Sequence, residues 1–309
     1  MHQQDITALL TAALKGDVRA LARCISIAEN ELPGHKDLLE SLPARSPSSF
    51  VTGITGPPGA GKSTLVSSLT RAILEEYPEE RVAVLAVDPT SPFTHGSILG
   101  DRLRMTDHFN DPRVYIRSVA TRGALGGLSN KTPQIADILL ACGFRHILIE
   151  TVGVGQSELE IAGLADTTVV VFVPESGDEV QTIKSGIMEI ADIFVVNKCD
   201  REGAERLAKS LSVTLHERPA SEWEPPVVLT SATKGEGIAE LLQKISEHQT
   251  SGIAHSHRQG LVLDKALRVL QQQLLSTINL NNFESEISKK SHEEHFNVYR
   301  FVREYLAKN

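Results

Sequence analysis

The spacing of apolar residues divides this chain into three parts. Over residues 4 to about 42 they recur at helical intervals, as Leu9, Ala13, Leu21 and Ile25 do, with Gly16-Asp17 interrupting the pattern and Pro33-Gly34 ending the second run. This predicts a helical preface, and Pro43 to Ser49, with two prolines and three serines, predicts the linker that follows it. From Phe50 the pattern becomes a series of short β-branched runs: Phe50 to Thr55, Val82 to Asp88, Val114 to Val119, His146 to Thr151, Thr168 to Val173, Ile193 to Asn197 and Val227 to Thr230. Longer, more polar intervals of helical pattern separate most of them. Runs that are apolar on both faces and alternate with helices predict an α/β fold, a mainly parallel sheet covered by helices. From Gly252 the period returns to three and four at Leu263, Leu267, Leu270, Leu274 and Ile278, which predicts a C-terminal helical arm. Periodicity shows that this stripe is covered, but leaves open whether by its own domain or by a second copy. The expected division is 1–45 helical segment, 46–250 main domain and 251–309 arm.

Composition narrows the function. With 309 residues the chain can bury a sizeable core, and 39 acidic against 31 basic residues give a net charge of −8. No block of Lys and Arg is present, which argues against a non-specific electrostatic grip on nucleic acid. Cys24, Cys142 and Cys199 are too few and too scattered for a disulfide framework or a Cys-x-x-Cys site, which fits a reducing compartment. No apolar stretch approaches the roughly 20 residues of a membrane span, so a cytoplasmic protein without membrane insertion is expected.

Gly56-Pro57-Pro58-Gly59-Ala60-Gly61-Lys62-Ser63-Thr64 fits the spacing G-x-x-x-x-G-K-[ST]. It lies between the strand Phe50 to Thr55 and a helix expected from Ser63 to Tyr77. Glycines 56, 59 and 61 let backbone N–H groups wrap an anion without Cβ clashes. Lys62 reaches β- and γ-phosphates, and the Ser63 hydroxyl can ligate Mg²⁺. The run therefore implies a P-loop for a nucleoside triphosphate, but not which one.

Carboxylates follow at strand ends. Asp88 closes an apolar run, and there an Asp before Pro89 either serves a metal or caps a turn. Asp101, in a segment with Gly96 and Gly100, is a second metal candidate; the neighbouring Arg102 and Arg104 read first as solvated ion pairs. Glu150 ends the next run and leads into Thr151-Val152-Gly153, an E-x-x-G element in which the acid would hold Mg²⁺ through water and the Gly153 N–H would sense the γ-phosphate. Gln156 is a weak candidate for orienting water.

The base is addressed further on. Asn197-Lys198-Cys199-Asp200 is an N-K-x-D element, and a carboxylate at Asp200 accepts from the guanine N1–H and 2-amino groups, which adenine lacks. Asn197 can brace the base-binding loops and Lys198 can cover the base plane. Ser231-Ala232-Thr233 then offers backbone N–H groups to guanine O6.

This ordered set resembles the ArgK/MeaB family of P-loop GTPases over roughly residues 10 to 245. The resemblance rests on the P-loop, on Val87 to Thr94, Gly96 to Asp101 and Glu150 to Glu158, and on the stretch from Gly177-Asp178-Glu179 to Asp192. It implies that Lys62 and Ser63 bind phosphate and metal, and that Asp88, Asp101 and Glu150 form an acidic Mg²⁺ neighbourhood, with Lys62, Asp101 and Glu150 in catalysis. It further implies that Asp200 with Ser231 to Thr233 selects guanine, and that Ser176 to Lys184 is an additional switch loop with Asp178 and Lys184 as its ionic contacts to a partner. The implied activity is hydrolysis of GTP to GDP and phosphate. The implied partner is an adenosylcobalamin-dependent acyl-CoA mutase, assisted in cofactor loading or protection by a homodimeric chaperone. His95 departs from the family pattern, and Phe283 to Asn309 does not resemble the usual ending, so the part of the arm in dimerisation stays open. Two rivals remain: a nickel-delivery metallochaperone GTPase and a transport-linked small-molecule kinase.

Overall fold

The computed structural model describes residues 3–88, 102–120, 131–151, 153, 157–175, 187–217, 222–292 and 296–308. Seven strands occur among them: β1 Phe50–Thr55, β2 Val82–Asp88, β3 Val114–Ala120, β4 His146–Glu150, β5 Thr167–Phe172, β6 Ile193–Asn197 and β7 Val227–Thr230. Each lies within a residue of the run that predicted it. They form one sheet in the order β3-β2-β4-β1-β5-β6-β7, and every pairing is parallel. Twelve α-helices accompany them: α1 Gln3–Leu14, α2 Val18–Glu29, α3 His35–Glu40, α4 Lys62–Glu76, α5 Thr132–Ala141, α6 Ser157–Ala162, α7 Ile187–Ile190, α8 Ala204–His216, α9 Ile238–Thr250, α10 Gly252–Thr277, α11 Leu280–Lys290 and α12 Val298–Lys308.

The near-continuous apolar strands are explained by what covers them. Ala83, Leu85 and Val87 of β2 face a core shared with α1, α2, α3 and α5, whereas Val82 and Val84 face a second core under α4 and α9. Alternate residues of β5 behave likewise, Val169 and Val171 packing toward α4 and α9, Val170 and Phe172 toward α7 and α8. A strand buried on both faces has no place for a polar stripe, so the period-2 signal disappears. The helical preface contributes Ile6, Leu10, Leu21, Ile25 and Leu38 to the first of these cores. There Cys24 and Cys142 are buried, and desolvation raises both thiols to about 11, so they pack as small apolar groups.

Two devices fix the sheet's centre. Gly53 of β1 has no Cβ because one would stand 2.4 Å from Ile161 Cγ1 of α6, so the helix lies directly on the strand. At the opposite end of β1, the buried Asp166 carboxylate accepts from the Val51 N–H at 2.8 Å and from the Arg45 guanidinium at 2.7 Å, tying the linker to the sheet. Among the described residues no helix is long and apolar enough to cross a membrane.

The chain divides into two compact units, residues 1–257 and 258–309. Within the second, Phe283 of α11 meets Phe301 and Tyr305 of α12 at ring distances of 5.4 and 4.9 Å, and the Tyr305 hydroxyl donates to the Asn279 carbonyl. On α10, Leu263, Leu267, Leu270 and Leu274 are exposed among the described residues.

Asp166→Ala removes the acceptor of a buried strand N–H and the charged partner of Arg45, whose guanidinium keeps the Ser49 carbonyl. A loss of about 3 kcal/mol is expected, read as a lower urea midpoint at unchanged slope.

Candidate functional site

Because all strands are parallel and β1 is central, the carboxyl ends of β1, β2, β4, β6 and β7 open on one edge of the sheet. The P-loop begins as β1 ends. Gly56 has φ +139° and lies so close over β5 that a Cβ would stand 2.2 Å from the Val171 carbonyl oxygen. The loop turns through Gly59 and Gly61, both with positive φ, into the first turn of α4. The N-terminus of this 15-residue helix directs its dipole and backbone donors toward the loop. Pro58 and Gly59 are exposed, Pro57 and Thr64 half-buried, and Ala60 is buried.

Lys62 is buried, and its ammonium donates to the Gly56 and Pro57 carbonyls at 2.8 and 2.9 Å. An anion in the cradle would add a charged partner to these carbonyl contacts. At the next residue the buried Ser63 hydroxyl donates to Glu150 Oε1 at 2.5 Å. Glu150 is level with Ile54 in the β1–β4 pairing, which brings β4's last residue beside the P-loop. A hydroxyl and a carboxylate oxygen this close form a hard-donor pair that suits Mg²⁺, directly or through its water. These residues therefore fit the metal that such a site implies.

Gly153 lies against the same loop. Its φ is +80°, and a Cβ there would be 2.1 Å from the Gly56 carbonyl oxygen and 2.5 Å from Lys62 Nζ. Between Glu150 and Gly153, the buried Thr151 hydroxyl shares a 2.8 Å hydrogen bond with that of Thr55, the residue before Gly56.

The N-K-x-D element joins the phosphate end to the base end. Asn197 Nδ2 donates to the Ala60 carbonyl at 2.9 Å, while Asn197 Oδ1 accepts from the Thr230 hydroxyl at 3.1 Å and the Ala232 N–H at 3.2 Å. A Cβ on Gly61 would stand 2.6 Å from the same amide nitrogen. Lys198 adopts φ +58° and reaches back to donate to the Gly59 carbonyl at 2.9 Å. Asp200 is exposed, accepts from the Ser231 hydroxyl at 3.1 Å and faces Lys234 Nζ at 3.4 Å. The Ser231 hydrogen bond, with help from Lys234, holds its carboxyl below the usual Asp value despite some desolvation.

Two of the base-side amides are engaged within the protein. The Ser231 N–H donates to the Glu236 carbonyl at 3.0 Å, and the Ala232 N–H is engaged by Asn197 Oδ1. Guanine O6 would therefore compete with Asn197 for the Ala232 donor. Thr233 is exposed at the tip of this turn.

The remaining candidates are placed only in part. Asp88 is the last residue of β2, paired with Ala120 of β3, and its backbone alone is described. Asp101, Gln156, His95, Asp178 and Lys184 lie outside the described residues. Sequence reasoning missed Thr55, Thr151, Thr230 and Lys234. A threonine immediately before the P-loop glycine and another directly after the strand-end acid were the available signals for the first pair.

A family model described as methylmalonyl-CoA mutase-associated GTPase MeaB matches residues 21–286. The chain belongs to this family. A Pyrococcus horikoshii protein described as a GTPase is 49% identical over 250 residues, covering 80% of this chain and 78% of its own. The GTPase ArgK of Escherichia coli is 35% identical over 268 residues, covering 84% and 80%. A solved structure described as a LAO/AO transport system kinase superposes with a TM-score of 0.71 at 24% identity, over 99% of this chain and 98% of its own, which speaks for the fold alone. The MeaB relationship makes this protein a P-loop GTPase, a hydrolase acting on GTP.

In this MeaB-family GTPase, Gly153→Ala places a methyl against the Gly56 carbonyl in a left-handed backbone conformation. Hydrolysis is expected to fall by about tenfold or more, with GDP affinity changed by no more than a few fold, measured by single-turnover phosphate release and calorimetry.

Proposed function

We propose that this protein is a Mg²⁺-dependent GTP switch that docks on an adenosylcobalamin-dependent acyl-CoA mutase of the methylmalonyl-CoA type and governs loading or protection of its cofactor. The observation that carries the nucleotide part is Asn197, whose single amide ties the phosphate loop at Ala60 to the base elements at Thr230 and Ala232. The family's description, mutase-associated, supports the partner.

Within this reading Lys62 and the P-loop amides hold the β- and γ-phosphates and compensate charge on the transferring phosphoryl group. Ser63 and Glu150 would hold Mg²⁺, with Asp88 and Asp101 as the further acidic candidates; the ion would supply additional neutralisation of phosphate charge. Asp200, kept ionised by Ser231 and Lys234, accepts from the guanine N1–H and 2-amino groups. Asp178 and Lys184 belong to the loop through which the mutase senses and accelerates the switch. Catalysis of this kind is positioning and electrostatics, so a partner that orders the site raises turnover.

The working unit in this reading is a cytoplasmic homodimer. The exposed leucine stripe of α10 supports it, since an apolar stripe of that length is a surface a second copy would cover. The E. coli relative's description as a GTPase favours hydrolysis over phosphoryl transfer to a small molecule. Labelled GTP separates the two: label appears as free phosphate, and stable label on a metabolite would establish the kinase.

Asp200→Asn replaces the acceptor facing the guanine 2-amino group with an amide N–H donor, while the amide oxygen still accepts from N1–H. GDP affinity is expected to fall by about 100-fold while xanthosine diphosphate, which presents a carbonyl at position 2, gains. For the partner, cobalamin-dependent mutase is expected in pull-downs from the native cell, in amounts that differ between GDP and a non-hydrolysable GTP analogue. Purified mutase should raise GTP turnover. Failure to recover any cobalamin enzyme in either state would remove the chaperone reading.

A further inference from the structure

The buried pair Thr55 and Thr151 sits where the two halves of the phosphate site separate. Thr55 is the last residue of β1, immediately before the P-loop, and Thr151 directly follows Glu150, the last residue of β4. Their side chains are essentially inaccessible, at 0% and 1% exposure, and their hydroxyl oxygens are 2.8 Å apart. The Thr151 N–H donates to the Ile54 carbonyl at 3.0 Å, so backbone and side chain bond across the same gap. On one side follow Gly56 and Lys62; on the other stand Glu150, bonded to Ser63, and Gly153, packed on Gly56.

The geometry points to this hydroxyl pair as the positioning device that sets the distance between Glu150 and the P-loop, and with it the Mg²⁺ affinity of the nucleotide complex. It rests on the proposal that Ser63 and Glu150 serve the metal. A hydrogen bond lets two branched side chains approach to about 2.8 Å, whereas methyl groups in the same places would stand about 3.5–4.0 Å apart. The pair therefore holds the ends of β1 and β4 closer, by up to about an ångström, than an apolar contact of the same shape would. An error of that size at a catalytic constellation costs about two orders of magnitude in rate. Thr55 and Thr151 would touch neither nucleotide nor metal; they act through Glu150.

Stability and positioning can be separated chemically. Removing one hydroxyl leaves the other buried without its partner, which destabilises the fold whatever its function; removing both relieves that defect. The test compares Thr55→Val, Thr151→Val, the double valine variant, the double alanine variant T55A/T151A and Thr151→Ser in the full chain. Two quantities are read: the urea midpoint, and the ratio of dissociation constants for a non-hydrolysable GTP analogue without and with Mg²⁺, by calorimetry. Expected is a Mg²⁺-dependent tightening at least fivefold smaller in both double variants, Mg²⁺-free affinity within twofold of the native protein, and near-native tightening in Thr151→Ser. The alanine pair covers the case in which valine crowds the site and prevents folding.

A native ratio in either folded double variant overturns the inference, as does a ratio that merely follows the urea midpoint across the series. Glu150→Gln separates it from its premise. A lowered ratio in Glu150→Gln beside native ratios in the double variants removes the threonine role alone. An unchanged ratio in Glu150→Gln removes the metal reading and the threonine role with it.

Discussion

Parallel pairing of β1 with both β4 and β5 is the constraint on which the site depends. It puts the P-loop at the middle of the sheet, with an acid-ended strand on one side and the Val171 carbonyl of β5 on the other. From that placement follow the Ser63–Glu150 contact, the approach of Gly56 to Val171 and the packing of Gly153 on Gly56. No single loop builds the cradle. It is made by strand ends held in register by a backbone ladder that is buried on both faces.

The base end depends on a different bond. Asn197 ends β6 next to β7 and gives one amide to two segments far apart in sequence, the P-loop at Ala60 and the turn from Thr230 to Ala232. Phosphate and base elements thus share a brace, so disturbance of one reaches the other. Few side chains other than Asn can do this, because the role needs a short amide with both a donor and an acceptor.

Much of this was legible in the sequence for specific reasons. The strands announced themselves because burial on both faces demands unbroken apolar runs, as in Val169 to Phe172. The P-loop, Glu150 and the N-K-x-D element were legible because their spacing is dictated by the anion and the base. The Thr55–Thr151 bond was not, because it joins residues 96 apart and a threonine in a strand ordinarily reads as β-propensity. Engagement of the Ser231 and Ala232 amides was hidden too, since a backbone donor's partner leaves no mark in the residue name. The α10 stripe was legible in its period, but a period alone does not tell whether a stripe is exposed.

Lys62 and Asp200 stand at opposite ends of the site, one buried among carbonyls and the other open to water. Dissolved salt therefore reaches them unequally. Counterions crowd an exposed carboxylate and its Lys234 partner, but cannot follow an ammonium beneath the loop. Rising ionic strength therefore weakens the Lys234 contact that helps hold Asp200 in place, while the contacts of Lys62 beneath the loop are shielded from it.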